Sequence, residues 1–281
     1  MNYHKITGDN LEEYTDLLPP DIAECIGREY FRAIALGEAG ENRSVLVYEL
    51  KNADEEEEAT TAELLWLHNS GDRPAGELLE AYKEAAAEEE VTRTAYEFAG
   101  CDEELKQALE AAGFTAEERE SRDLVVSLEE IAALPVARGR VPSYITSLEG
   151  LMVRQYRRGI MDSLFHKKRG VYEDLASLPM TFFDVQVSGC VLADGRTNGF
   201  LLVHALPSGQ LIVGYMCAFE PDMKVNMAMM IRRSIQAAAV KYPADTRVIL
   251  RRYNEATANL TAKLFPDKKG AVVLAGEREE E

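Results

Sequence analysis

At 281 residues the chain exceeds what one hydrophobic core usually organises, so two domains are the natural expectation. Hydrophobic residues at 46% and charged residues at 28% describe a folded globular protein and exclude a disordered one. The net charge of −18 is uneven: residues 1–140 carry 34 Asp and Glu against 13 Lys and Arg, residues 141–281 carry 15 against 18, and the acidic first half excludes a nucleic-acid or anionic-membrane surface there.

In chain order, a short strand at Tyr3–Thr7 precedes a helix capped by Asp9 or Asn10, with Leu11, Tyr14 and Leu17 on one face. After Pro19-Pro20 a second helix is expected from Asp21 to about Leu36. Strands follow at Ser44–Leu50 and Thr61–His68, separated by the acidic run Asp54–Glu58, whose like charges belong on a solvated loop. A helix Ala75–Glu90, a strand Arg93–Phe98, a helix Asp102–Ala112 and a strand Asp123–Leu128 complete the first half. Leu134–Pro142 holds two prolines and a glycine and reads as a linker, which sets domains at 1–134 and 143–281 with 135–142 between them.

The second half opens with an extended piece at Tyr144–Ile145 and helical stretches between Leu151 and Leu175. Strands are expected at Phe182–Leu192, Gly199–Leu206 and Leu211–Phe219, with hairpin turns at Asp194-Gly195-Arg196 and Pro207-Ser208-Gly209. A helix Val225–Lys241, a strand Arg247–Tyr253, a helix Ala256–Leu264 and a strand Ala271–Ala275 finish the chain. Leu64–Leu128 and Leu211–Ala275 thus share one order of elements in about the same length, a repeat of architecture with little shared sequence.

No apolar run reaches the roughly 18 residues of a membrane span. The opening MNYHKITGDN lacks the basic, apolar and small-residue succession of a signal peptide. Cys25, Cys101, Cys190 and Cys217 are scattered without CxxC spacing, so they read as reduced thiols of a cytoplasmic protein, with neither disulfide nor metal expected. The basic segment Arg154–Arg158 has no stacking aromatics interleaved, and no nucleic-acid partner is expected.

The repeated order, together with Cys101–Phe114 (CDEELKQALEAAGF), Asn254–Leu264 (NEATANLTAKL) and Leu211–Phe219 followed by Glu220–Val225, resembles the core of the GNAT superfamily of acyl-CoA N-acyltransferases, once in each half. The resemblance implies an α/β fold with mixed α+β sheets, two tandem GNAT-like domains, and acetyl-CoA or another acyl-CoA as cosubstrate. The implied acceptor is the amine of a small molecule or peptide, and a homodimer is an open expectation. In such a site the fourth and fifth strands splay at a bulge and leave backbone groups for the pantetheine arm. The following helix offers free N–H groups to the pyrophosphate.

Carried onto this sequence, that pattern assigns the fourth-strand backbone to Met216, Cys217 and Ala218, the pyrophosphate turn to Lys224 and Val225, and the cofactor-facing asparagine to Asn254. The first half offers Arg73 and Gly76 at its own turn. Glu63 on the first half's fourth strand is a candidate base, Tyr215 a candidate acid, and Tyr253 a residue able to reach the cleft. His68 and His204 read as an exposed turn residue and a half-buried sheet residue. The pattern also departs: Leu78 stands for the second glycine of the first half, and Met227 and Met229 for both glycines of the second. Leu109 and Thr261 replace the tyrosine that protonates the leaving thiolate. These departures keep a second expectation open, a catalytically inactive module that binds a ligand or a protein. The second half, less acidic, is the expected host of the cofactor.

Overall fold

The computed structural model describes residues 3–37, 43–51, 59–69, 75–100, 103–166, 173–219, 222–252 and 254–280, and all elements below lie among them. The chain divides into two units, Met1–Ser121 with Ala271–Glu281, and Arg122–Gly270.

In the first unit β1 (His4–Ile6) leads through a 3-10 turn at Leu11–Tyr14 and a short α1 (Pro20–Ala23) to β2 (Phe31–Leu36) and β3 (Ser44–Lys51). Then come β4 (Thr61–Asn69), α2 (Ala75–Glu88), β5 (Arg93–Phe98), α3 (Glu103–Ala111) and β6 (Glu117–Glu120). The chain next enters the second unit with β7 (Asp123–Ser127), α4 (Leu128–Ala133), β8 (Ile145–Ser147), α5 (Val153–His166) and β9 (Gly189–Ala193). It continues through β10 (Arg196–Ala205), β11 (Leu211–Ala218), α6 (Met223–Lys241), β12 (Arg247–Arg251) and α7 (Glu255–Leu264), and returns to the first unit as β13 (Val272–Glu279).

The first sheet runs β1-β2-β3-β4-β5-β13-β6 and the second β7-β12-β11-β10-β9-β8. Against the two expected halves of the sequence, β7 and β13 have changed places: β7 joins the second sheet and β13 the first. β7 pairs antiparallel with β12, from Asp123↔Arg251 to Ser127↔Arg247. β13 slots between β5 and β6, with Gly276 opposite Tyr96. A Cβ at Gly276 would lie 1.7 Å from the Thr115 carbonyl oxygen, so only glycine admits that approach. Arg278 anchors the strand: its guanidinium donates to both Glu280 carboxylate oxygens and to Ala112 O, and lies 4.4 Å over the Phe114 ring. The sequence reading kept each of these strands with its own half of the chain.

Four further elements differ from expectation. Phe31–Leu36, expected inside a helix, is a strand buried on both faces; Gly27 at φ 92° ends the helical turn before it. Phe182–Ser188, expected as strand, is a 3-10 turn and loop that Asp184 holds by accepting from the Gln186 and Val187 N–H groups. β6 is wholly exposed and carries no apolar signal. α4 escaped the sequence reading although Ser127 and Glu130 form a reciprocal capping box. The expected linker is held to α6, with Arg232 donating to Val136 O and Arg140 O, and Gln236 to Ala137 O and Gly139 O. The acidic run Asp54–Glu58 lies outside the described residues.

In each unit the sheet carries a core on both faces. α2 and α3 cover one face of the first sheet over Leu46, Tyr48, Leu64 and Tyr96, and the N-terminal turns cover the other over Val45 and Val47. In the second unit α4, α6 and α7 cover Leu201, Val203 and Val248, while α5 and the 173–185 segment cover Phe200, Leu202 and Tyr215.

Candidate functional site

The two strand pairs expected to splay do so in both units, and at the same place. In the second unit β10 and β11 shift register between Leu202 and Val203, so that Leu202 faces Tyr215 and Val203 faces Val213, which leaves Gly214 as the bulged residue. The parallel pairing of β11 with β12 ends at Val213↔Leu250. In the first unit the shift between Val47 and Tyr48 bulges Leu65, and the β4–β5 pairing ends at Leu64↔Tyr96. Each bulge bends its strand away just where the parallel ladder stops. That geometry exposes the outer edge of the strand beyond it.

The surroundings of the two ladder ends differ between the units. In the first, the ladder ends on Tyr96, whose ring packs with Phe98 and Phe114 at separations of 5.3 and 5.6 Å and whose hydroxyl donates to Thr115 O, beside β13. Tyr82 of α2 packs edge-on to Tyr48 at 5.1 Å and its hydroxyl meets Thr94. In the second unit the register partner of the bulge-flanking residue is Leu250, not a tyrosine, and a cavity of about 210 Å³ opens. Its exposed end is at Asn254, beside Arg251 and Thr257; its buried end is at Leu211, Ala238 and Val248. Between them the wall is aliphatic, from β10, β11, α4, α6 and α7. Phe265 adds an aromatic ring, and two buried hydroxyls interrupt the apolar wall: Thr261, which donates to Thr257 O and Ala258 O, and Ser234, 6% exposed, with an Oγ that has no hydrogen-bond partner.

Of the residues singled out in the sequence, Tyr215, Met216, Cys217 and Ala218 lie on β11 beyond the last β12 pair. Tyr215, Met216 and Asn254 line the cavity. The Tyr215 side chain shares the opposite core with the buried Cys217. Burial first, and then Cys217 beside it, push its phenol far above the ordinary tyrosine value. It stays protonated at neutral pH and is never a base.

Lys224 and Val225 are exposed in the first turn of α6. The first intrahelical bond there is Asn226 N–H to Asp222 O, so the N–H groups of Met223, Lys224 and Val225 precede the ladder. The Asp222 N-cap is left-handed at φ 66° and makes no side-chain cap. Met227 and Met229, which stand at the positions of the pattern's glycines, are partly buried against the core. Asn254 caps α7, accepting from the Thr257 N–H in a reciprocal capping box, and its side chain is thereby fixed at the cavity mouth.

Glu63 and Gly76 belong to the first unit and do not join this cavity. Glu63 is half-buried on β4 opposite Glu49, itself ion-paired with Lys51. A Cβ at Gly76 would meet open space. Arg73 and Tyr253 lie outside the described residues. His204, expected to be half-buried, is a buried sheet residue: its Nδ1 is 2.7 Å from Phe182 O, and its ring stacks on Phe182 at 4.0 Å. Three arginines of the second unit are engaged by the protein itself: Arg233 donates to Val187 O and Ser188 O, Arg251 pairs with Asp123 at 3.6 Å, and Arg252 donates to Arg122 O.

Sequence reasoning missed Gly214, Ser234 and the α4 wall of the cavity. The Ser127-x-x-Glu130 box could have revealed α4. Nothing in the sequence marks Ser234 apart from its neighbours on α6.

Among the described residues no cluster of His, Cys, Asp and Glu could hold a metal ion. Among them, too, no helix is long and apolar enough to cross a membrane. Cys190 and Cys217 are buried thiols, and burial pushes Cys190 up to about 12.

No protein-family model and no curated protein sequence matches the chain. Solved structures do. A tandem GNAT protein from the clavulanic acid biosynthesis pathway, determined without AcCoA, superposes with a TM-score of 0.62 at 12% identity over 100% of this chain and 98% of its own. A conserved protein from Enterococcus faecalis V583, described as a probable N-acyltransferase, gives 0.55 at 10% identity over 100% and 73%. A GCN5-related N-acetyltransferase from Kribbella flavida gives 0.52 at 13% identity over 90% of each chain. At these identities the likeness is one of fold, and the fold of this chain is that of a tandem GNAT protein.

Proposed function

We propose that the chain is an N-acyltransferase that takes an acyl group from acyl-CoA and passes it to the amine of a small molecule or peptide, with the second unit holding the donor. The opening at Gly214, continuous with the cavity between β11 and β12, carries this reading. The residues present fit an acyl-CoA. The edge of β11 from Gly214 to Ala218 offers backbone groups to an amide-bearing arm. The uncapped α6 N-terminus with Lys224 offers N–H groups and one positive charge to phosphate.

The donor supplies a thioester whose C–S bond breaks as the amine's N–C bond forms, while the amine gives up a proton and the leaving thiolate gains one. The chain's own groups orient and exclude. Asn254, locked by Thr257, sets the polar rim. The aliphatic wall keeps water from the split. Tyr215, whose side chain is buried in the core behind β11, keeps its proton throughout the neutral range and holds the strand at the bulge instead of meeting the donor. The first unit serves a structural or acceptor-presenting role in this reading.

Calorimetric titration of acyl-CoA into the full chain tests the proposal, with Leu250→Tyr placing the first unit's tyrosine in the second unit's split. Binding that L250Y weakens by at least about tenfold, about 1.4 kcal/mol, is expected. Absence of binding by any CoA ester would refute it and leave an inactive binding module as the reading.

A further inference from the structure

We infer that the cavity of the second unit is a site for an apolar chain of roughly six to ten carbons, and that the acyl group carried by this protein is medium-length instead of acetyl. The inference rests on the acyl-CoA reading above and names the donor class within it.

Size is the first argument. A cavity of about 150 Å³ lined by Leu, Ile and Phe stays dry and takes up benzene, with its six carbons. The cavity here is about 210 Å³. An acetyl group, with two carbons, would leave most of it empty, and a dry void forfeits the contacts its walls would make.

The gradient of chemistry along the cavity is the second. Asn254, Thr257 and Arg251 stand at the exposed end, and Leu211, Ala238 and Val248 close the buried end. A ligand with a polar head and an aliphatic tail matches that order; a wholly polar one would leave its groups unpaired against the walls. The buried end also lies beneath the paired stretch Leu211–Val213 of β11, past the bulge from the free edge Gly214–Ala218. An arm lying along that free edge therefore has the deep part of the cavity ahead of it.

The contrast between the units is the third. The first unit has the same bulge and the same end to its parallel ladder, but the residue at that end is Tyr96 where the second unit has the smaller Leu250. In the second unit Leu250, Ala238 and Ser234 line the cavity, and Ser234 Oγ is without a protein partner on its wall.

The test is a chain-length series in the full protein: CoA, acetyl-CoA, butyryl-CoA, octanoyl-CoA, decanoyl-CoA and palmitoyl-CoA by calorimetry, with free octanoate alongside. Each buried methylene favours binding by roughly fourfold, so octanoyl-CoA should bind at least tenfold tighter than acetyl-CoA, with the gain levelling off beyond about ten carbons. Ala238→Leu, which fills the buried end, should shift that plateau to shorter chains while sparing acetyl-CoA. If this variant does not fold, the wild-type series decides alone. Equal affinity for acetyl-CoA and octanoyl-CoA overturns the inference and leaves the acyltransferase reading intact. Octanoate binding with no binding of any CoA ester keeps the chain site and removes that reading. No binding of either overturns both.

Discussion

Replacing Asp184 by Asn should unlock the wall of the cavity from behind. The Asp184 carboxylate is 2% exposed and accepts from Lys241 Nζ at 2.8 Å, the Tyr242 hydroxyl, and the N–H groups of Gln186 and Val187 at 3.1 and 3.2 Å. It thus ties the C-terminal end of α6 to the loop bearing Val187, which lines the cavity. Asparagine keeps one acceptor for the backbone but turns an N–H2 toward two other donors. Lys241, 40% exposed, can swing to water, so the loss of its pairing counts little. The stranded Tyr242 hydroxyl and the weakened backbone bonds cost about 2–3 kcal/mol. At about 2–4 °C per kcal/mol for a protein of this size, Tm should fall by roughly 5–10 °C at pH 7. The pH dependence has a definite sign. Burial alone would raise the Asp184 pKa, but hydrogen bonds from Lys241, Tyr242 and the Val187 N–H outweigh it and hold the carboxyl below its ordinary value. Such a group stabilises above its unfolded pKa of about 4 and loses that contribution as pH falls through the folded value. The gap between wild type and D184N should be full at pH 7 and close below about pH 4. Scanning calorimetry at pH 7, 5 and 3 measures it; equal Tm values at pH 7, or a gap that widens in acid, would show that Asp184 is not held as described.

Two other substitutions probe packing. At Gly159 of α5 an added Cβ would lie 2.0 Å from Thr197 Oγ1 and 2.6 Å from the Phe200 ring, both buried, so Gly159→Ala should destabilise by about 2–4 kcal/mol despite alanine's better helix propensity. An unchanged urea midpoint would contradict that contact. Ser234→Ala removes a buried hydroxyl without a partner and should raise stability of the ligand-free protein by about 1 kcal/mol. A lowered Tm would reveal a partner for Oγ.

Much of the fold was legible because its elements carry periodic apolar faces. β5 and β11, together with α6 and α7, begin and end within a few residues of their sequence-derived bounds. Phe31–Leu36 was misread because apolar residues buried on both faces have no period that separates strand from helix. β6, with four exposed charged residues, owes its strand state to pairing with β13 and not to its composition. The placement of β7 and β13 was invisible because a strand's sequence states which faces are apolar but not which neighbour it will meet. The site follows the same division. Met216–Ala218 and Asn254 could be placed by resemblance. The bulge at Gly214 depends on the register between two strands, and the contrast of Leu250 with Tyr96 has meaning only once each is known to face the end of a parallel ladder.

The position of β13 also reverses the order in which the chain can mature. Residues 122–270 are contiguous and can close their sheet as soon as they leave the ribosome, with β7 already made. The first unit, synthesised earlier, must hold the flank of β5 open until the last few residues emerge, since Arg93 pairs with Glu279. At about 5–20 residues per second, the roughly 150 residues between β6 and β13 take on the order of 10–30 s to make. For that interval the edge of β5 bearing Tyr96 lacks its β13 partner, and the negative charges of Glu97, Glu117, Glu118 and Glu120 disfavour its pairing with a second copy of the same edge. The N-terminal half is therefore born first and finished last.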